Sequence, residues 1–315
     1  MMILKKPEFW NLKKPNLFAY LLLPIAFLIQ LRNFFKVRFK KKKIKIKTIC
    51  VGNIYIGGTG KTSLSIKINE ILHKKNIKSC FIKKFYKNQI DEQRLLESRG
   101  KLFVSSKRFH AINQAALENY EVAILDDGLQ DFSVDCDLKI VCFNNLNWKG
   151  NGLTIPAGPL RENLNNLKRY QHVIINGNEE NLDIIKKNIF EINPNINIYI
   201  GKYMPLNLSE FDKKSRYLAF SGIGNHQTFI SMLQDYGLNI SKDLEFPDHY
   251  IYSYEDINKI LKISYEMDYK IVTTEKDYLR LDNNKKNKIK YIKSDLQIKD
   301  EEKFIASILK TNETD

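Results

Sequence analysis

Thr48-Ile-Cys-Val-Gly-Asn-Ile-Tyr-Ile-Gly-Gly-Thr-Gly-Lys-Thr62 is an apolar run that breaks into a glycine-rich turn ending in Gly-Lys-Thr. A strand feeding such a turn, with a helix behind it, makes a concave anion site, because backbone N–H groups point inward and the helix dipole favours negative charge. The stretch reads as a phosphate-binding loop in which Tyr55, Ile56, Gly57, Gly58, Thr59, Gly60, Lys61 and Thr62 surround a nucleoside triphosphate such as ATP. Lys61 would reach the β- and γ-phosphates, and Thr62 would hold Mg²⁺. The common spacing asks for Gly at position 55, where this chain has Tyr; Gly57, Gly58 and Gly60 supply the flexibility instead. The alternative is an ordinary glycine-rich strand-to-helix turn.

Outward from the loop the chain alternates strand and helix patterns. Residues 63–75 carry apolar positions at helical spacing, 79–82 read as a strand, and 83–89 as a polar irregular passage leading to a helical run over 94–98. Residues 101–105, 122–125 and 138–143 read as strands, with a helix over 107–119. This order predicts an α/β fold, a P-loop NTPase-like parallel sheet with helices on both faces. Strands at 173–176, 198–201, 217–221 and 270–274, with helices at 182–189, 225–236 and 254–267, suggest a second, smaller α/β lobe. The expected division is 1–38 as an N-terminal apolar helix and basic collar, 39–151 as the nucleotide-binding domain, and 152–315 as the second lobe. The extreme C-terminus has the option of returning to the first domain.

The 315 residues are enough for one large or two smaller cores. Cys50, Cys80, Cys136 and Cys142 show no C-x-x-C spacing, which speaks against a zinc site and suits buried, reduced thiols in a reducing compartment. The net charge of +15 reflects Lys throughout the chain, and the basic residues are not interleaved with aromatics in a binding module, so no nucleic acid is expected as partner. One block is denser: Lys36, Arg38, Lys40 to Lys43, Lys45 and Lys47 follow directly on the apolar run 17–29. As a helix that run covers roughly 20 Å against about 30 Å of hydrocarbon. With Pro24 inside it, the expectation is a membrane-associated interfacial helix with a basic collar against the membrane surface. A buried core helix and a secretory signal are the competing readings, the latter without a small-residue cleavage site.

Several downstream groups carry chemistry. Residues 120–127 form an apolar strand ending in Asp126-Asp127, at a distance from the loop suited to Mg²⁺ coordination beside phosphates, although strand-Asp-Asp-Gly is also an ordinary turn. Asn151-Gly-Leu-Thr-Ile-Pro-Ala-Gly-Pro-Leu-Arg-Glu162 is rich in turn formers and reads as a linker, or as a source of a phosphate clamp (Arg161) and another metal carboxylate (Glu162). Asp248-His249 lies ahead of a helix: a cap plus a surface histidine, or a couple that handles a hydroxyl proton. Thr273-Thr-Glu-Lys-Asp277 emerges from a strand and has no role assigned by spacing alone.

Taken in order, Gly52-Asn53 to Thr62, Asp126-Asp-Gly-Leu-Gln130, Pro156-Ala-Gly-Pro-Leu-Arg-Glu162, Phe246-Pro-Asp-His249 and Thr273 to Asp277 resemble the tetraacyldisaccharide 4′-kinase family, the lipid A 4′-kinases of Gram-negative bacteria. The resemblance covers nearly the whole chain. It implies transfer of the ATP γ-phosphate to the 4′-hydroxyl of a membrane lipid substrate, an acylated glucosamine disaccharide 1-phosphate, yielding lipid IVA at the cytoplasmic face of the bacterial inner membrane. No protein partner is implied. It further implies that Asp91, in Ile90-Asp-Glu-Gln93, works with His249 on the sugar hydroxyl, that Arg161 steadies the developing charge, and that Thr62, Asp126, Asp127 and Glu162 manage Mg²⁺. Departures are visible: Ile82-Lys-Lys-Phe-Tyr86 replaces the family's Ser-Arg-Gly-Tyr-Gly, where Lys83 or Lys84 would substitute electrostatically. Asp131 and Tyr250 each stand where His is usual. The competing function is a switch or partner-loading ATPase, which would hydrolyse nucleotide without lipid and respond to a protein.

Overall fold

The structure is a computed structural model describing residues 7–37, 44–86, 89–177 and 181–310. After a 3-10 turn at Glu8–Asn11 come α1 (Leu17–Leu21), α2 (Leu23–Val37), β1 (Lys47–Gly52), α3 (Lys61–Lys74), β2 (Ser79–Lys84), α4 (Ile90–Glu97), β3 (Leu102–Ser105) and α5 (Arg108–Leu117). The chain continues through β4 (Val122–Asp126), β5 (Leu138–Asn144), β6 (His172–Asn176), α6 (Leu182–Ile192), β7 (Asn197–Pro205) and β8 (Arg216–Ser221). It ends with α7 (His226–Asp235), β9 (Asn239–Glu245), α8 (Tyr254–Met267), β10 (Lys270–Thr274), α9 (Glu275–Tyr278), β11 (Ile289–Ile292), β12 (Ser294–Ile298) and α10 (Glu301–Lys310).

The chain divides into two compact units, one holding residues 1–85, 99–202 and 298–315 and the other 86–98 and 203–297. The first unit thus runs past the expected boundary at Asn151, because β6 and β7 add in parallel to the sheet that β5 belongs to. The C-terminal helix α10 belongs to this unit, with Glu301 paired to Lys67 of α3 at 3.0 Å. Residues 86–98, expected in the nucleotide domain, belong to the second unit instead.

The sheet of the first unit runs β7-β6-β5-β1-β4-β2-β3. β1 lies centrally, paired in parallel with β4 on one side and β5 on the other. Its strands are apolar on both faces, as a sheet covered by helices requires: Ile49, Cys50 and Val51 of β1 and Val122 to Leu125 of β4 are all buried. Chain order reverses at β1, so the loop leaving its C-terminal end sits at a topological switch point, where open α/β sheets bind ligands.

The second unit is a four-stranded parallel sheet, β11-β10-β8-β9, whose two faces alternate. Tyr217 and Ala219 pack with Phe229 and Leu233 of α7, while Leu218 and Phe220 pack with Ile257 and Ile260 of α8. α8 starts with a reciprocal capping box between Ser253 and Asp256.

The N-terminal apolar run is not one helix. It breaks at Leu22, and Pro24 occupies the opening turn of α2, where a missing N–H costs no hydrogen bond. Among the described residues no helix is long and apolar enough to cross a membrane. Of the basic collar, residues 38–43 lie outside the described residues.

Candidate active site

The first unit builds a phosphate cradle at the end of β1. Gly52 is required there by close approach, since a Cβ would lie 2.7 Å from the Leu129 side chain. Gly57 (φ 108°) and Gly60 (φ 85°) take left-handed conformations that let the backbone turn back before α3. The Asn53 amide donates to the Gly57 carbonyl at 3.0 Å and the Asn176 amide to the Thr59 carbonyl at 2.6 Å, so the loop is braced before any ligand arrives. Lys61 and Thr62 open α3 directly behind it.

The turn-rich string 151–162 is not a free linker. Ile56 N donates to the Pro159 carbonyl and Arg161 N to the Ile54 carbonyl, so the string pairs with the loop around a Tyr55–Leu160 bridge. The Tyr55 ring is therefore buried in the core, its hydroxyl pushed up to about 12 by burial, and only its backbone is left for a nucleotide. The N-terminal segment is tied to the same string: the Trp10 indole donates to the Pro156 carbonyl at 3.1 Å and the Gln30 amide to the Arg161 carbonyl at 3.3 Å.

Asp126, fully buried, ends β4 beside the loop. Its Oδ2 lies 3.4 Å from the Thr62 hydroxyl and 2.6 Å from Lys83 Nζ, and its Oδ1 3.3 Å from the Ser65 hydroxyl. Asp127 (φ 54°) turns away to meet Arg161 at 2.7 Å and Lys61 at 3.9 Å. Burial alone would raise its pKa, but Lys61 and Arg161 outweigh it and hold the carboxyl at about 2. Buried Arg108 fixes this turn by donating to the Asp127 carbonyl at 2.6 Å and pairing with Asp131 at 3.1 Å, which gives Asp131 a structural purpose.

Glu162, expected among the Mg²⁺ ligands, is held by hydrogen bonds within the chain. One carboxylate oxygen accepts from Gln130 at 2.6 Å, the other from Asn166 at 2.9 Å and Tyr170 at 3.0 Å. Among the described residues no three or more His, Cys, Asp or Glu side chains form a group that could hold a metal ion. The hydroxyl of Thr62 and the carboxylate of Asp126 lie together beside the loop, an oxygen pair that would suit Mg²⁺, an ion that keeps waters and substrate phosphates as most of its ligands.

The second unit holds a separate polar cluster. Asp91 lies in the first turn of α4, not in a loop, and the structure brings it to His249: Nδ1 to Oδ1 is 3.2 Å. The His249 loop hangs from the end of β8, with Phe246 N donating to Ser221 O and His249 N to Gly222 O. A side chain at Gly222 would press within about 3.1 Å of Pro247 O, Tyr250 and Tyr252.

Two cations complete the cluster: Lys276, from the motif to which the sequence gives no role, and Arg280, which the sequence does not single out. Arg280 donates to Asp91 Oδ2 at 2.6 Å, to Asp277 Oδ1 at 2.9 Å and to the Gly222 carbonyl at 2.7 Å. Lys276 reaches Glu92 at 2.8 Å and Asp91 at 3.5 Å. Burial alone would raise the Asp91 carboxyl, but the His249 hydrogen bond and the charges of Lys276 and Arg280 hold it far below the usual range. Asp91 is thus an ionised acceptor fixed in orientation, able to take a hydrogen bond from a hydroxyl.

A phosphate cradle at the switch point of a parallel sheet, with a carboxylate beside the Gly-Lys-Thr turn, defines a P-loop protein of the phosphoryl-handling class. The chain belongs to the tetraacyldisaccharide-1-P 4′-kinase family, whose model matches residues 18–313, and it is a kinase. The tetraacyldisaccharide 4′-kinase of Pelagibacter ubique is 60% identical over 312 residues, 99% of each chain. That of Rickettsia felis is 32% identical over 332 residues, 98% of each. A crystal structure of LpxK from Aquifex aeolicus in complex with ATP has a TM-score of 0.67 at 24% identity, covering 93% of this chain and 99% of that one, which bears on the fold.

Proposed function

We propose that this chain transfers the γ-phosphate of ATP to the 4′-hydroxyl of a tetraacylated glucosamine disaccharide 1-phosphate, forming lipid IVA. The observation that carries the reading is the presence of two prepared sites, a braced phosphate loop and an ionised Asp91 hydrogen-bonded to His249, in a chain of this family. Residues 55–62 hold the triphosphate, with Lys61 on its terminal phosphates and Thr62 and Asp126 toward Mg²⁺. Mg²⁺, when bound, neutralises charge on the β- and γ-oxygens.

Asp91 orients the attacking hydroxyl and accepts its proton as the new O–P bond forms and the bond from the γ-phosphorus to the ADP oxygen breaks, and His249 holds the carboxylate in place. A strongly basic group is not required, because the transition state is loose and the hydroxyl proton leaves late. Arg161 supplies positive charge as Asp127 shares it with the phosphates.

The reading extends to location. Phe18, Leu21, Phe27 and Leu28 of α1 and α2 are each more than 60% exposed, an apolar face suited to the interfacial layer of a bilayer. The enzyme works peripherally or monotopically at the cytoplasmic face of the inner membrane, where an acylated substrate resides. Lys61→Ala should abolish phosphorylation of the purified lipid with melting near wild type, whereas Asp91→Ala should abolish it in a protein that still folds by circular dichroism but melts lower, since Arg280 and Lys276 lose their carboxylate. Near-normal turnover by a folded Asp91→Ala protein would overturn the assignment of that carboxylate.

A further inference from the structure

Lys83 stands in β2, next to β4 in the sheet, with Ile82 in register with Leu125; one step further along the ladder Lys83 meets Asp126. Both are almost fully buried, 1% and 0% exposed, and their charged atoms lie 2.6 Å apart. A buried lysine is a costly choice for a strand interior unless a charge holds it. A carboxylate the nucleotide site needs holds it, and the oxygen it occupies, Oδ2, is also the one nearest Thr62.

We propose that Lys83 is a positioning residue of the donor site, an internal cation that competes with Mg²⁺ for Asp126. Before nucleotide arrives, its ammonium keeps the buried carboxylate neutralised and aimed at the loop. When Mg²⁺–nucleotide enters, the metal gains Asp126 only by displacing or sharing the Lys83 contact, so Lys83 weakens metal binding and sets the Mg²⁺ concentration at which the site fills. This inference rests on the ATP–Mg²⁺ reading above and concerns a residue to which that reading gives no role.

The test is a Mg²⁺ titration of the full chain with a fluorescent ADP analogue at fixed concentration, which reads metal-dependent nucleotide binding without turnover. Removing a unit charge a few ångströms from a divalent ion should lower the Mg²⁺ midpoint on the order of tenfold, even with water-like screening. Lys83→Met should show this. Lys83→Gln, which keeps a donor on the buried carboxylate and guards against misfolding, should shift in the same direction, while Lys83→Arg should stay within about twofold of wild type. In an Asp126→Asn background, Lys83→Met should add no further shift. A midpoint unchanged or raised in folded Lys83→Gln would overturn the proposal alone. A wild-type protein that binds the analogue with no response to Mg²⁺ would overturn both it and the metal-dependent donor reading.

Discussion

Arg280→Gln isolates what the sequence did not disclose about the Asp91 cluster. Arg280 and Asp91 are 7% and 6% exposed at their side chains and meet at 2.6 Å. Breaking such a buried pair costs about 3–5 kcal/mol, and Lys276, still 3.5 Å from Asp91, places the expected loss near the lower end. Withdrawing an opposite charge at this range raises a carboxyl pKa by roughly 1–3 units. Because the folded pKa of Asp91 is depressed, its contribution is present above the unfolded value of about 3.9 and is lost as pH falls through the folded one. The variant raises the folded value, so the pH window over which acid removes this contribution narrows from its low end and the acid-dependent part of the stability shrinks. The assay is urea unfolding at pH values from 2 to 7, with lipid phosphorylation at pH 7 as a check that the variant folds. Arg280→Lys should recover part of the shift, since it keeps the charge and loses the fork. A folded Arg280→Gln protein whose stability falls between pH 5 and 2 as far as wild type's would refute the argument.

Other perturbations probe separate parts of the structure. Burial lowers His172 to about 4, so the folded state resists its protonation and stability declines as pH drops below about 6.5; between pH 7 and 5 this site alone costs about 2 kcal/mol. His172→Gln should flatten that part of a urea-unfolding profile, and an unaltered slope would contradict the cause given. Glu162→Gln should lower the melting temperature yet leave the Mg²⁺ midpoint of nucleotide binding within about twofold, because its oxygens serve Gln130, Asn166 and Tyr170; a midpoint raised by about tenfold would restore it as a metal ligand. Phe27→Glu with Leu28→Glu, at 66% and 62% exposure, should leave the fold intact and reduce co-sedimentation with anionic vesicles on the order of a hundredfold. Undiminished vesicle binding would remove this face from the membrane account.

Much of the first unit was legible because its strands are short apolar runs between turn signals. Val122 to Asp126 and Leu138 to Asn144 stand out for that reason, and the glycines of the loop announce their own turn. β9 was not read, since Asn239–Glu245 is a mostly exposed, charged strand with no apolar face to reveal it. Lys83 was placed in an irregular passage because a lysine looks like solvent-facing sequence; its partner Asp126 lies 43 residues away, and only the β2–β4 register brings them together. Arg280 and Lys276 were hidden in the same way, 189 and 184 residues from the acidic groups of α4 that they hold. The Asp91–His249 couple came from family resemblance rather than from spacing, as a contact across 158 residues leaves no periodic trace. Glu162 has the chemistry of a metal ligand, and only the fold shows that its oxygens are hydrogen-bonded to Gln130, Asn166 and Tyr170.

The central claim is phosphoryl transfer to a lipid sugar hydroxyl, and one incubation addresses it: purified chain, γ-labelled ATP, Mg²⁺ and tetraacyldisaccharide 1-phosphate in detergent micelles. The account predicts label on the lipid at the 4′-position, appearing only when both Lys61 and Asp91 are intact. Nucleotide hydrolysed at the same rate with or without the lipid, and no labelled lipid formed, would contradict it.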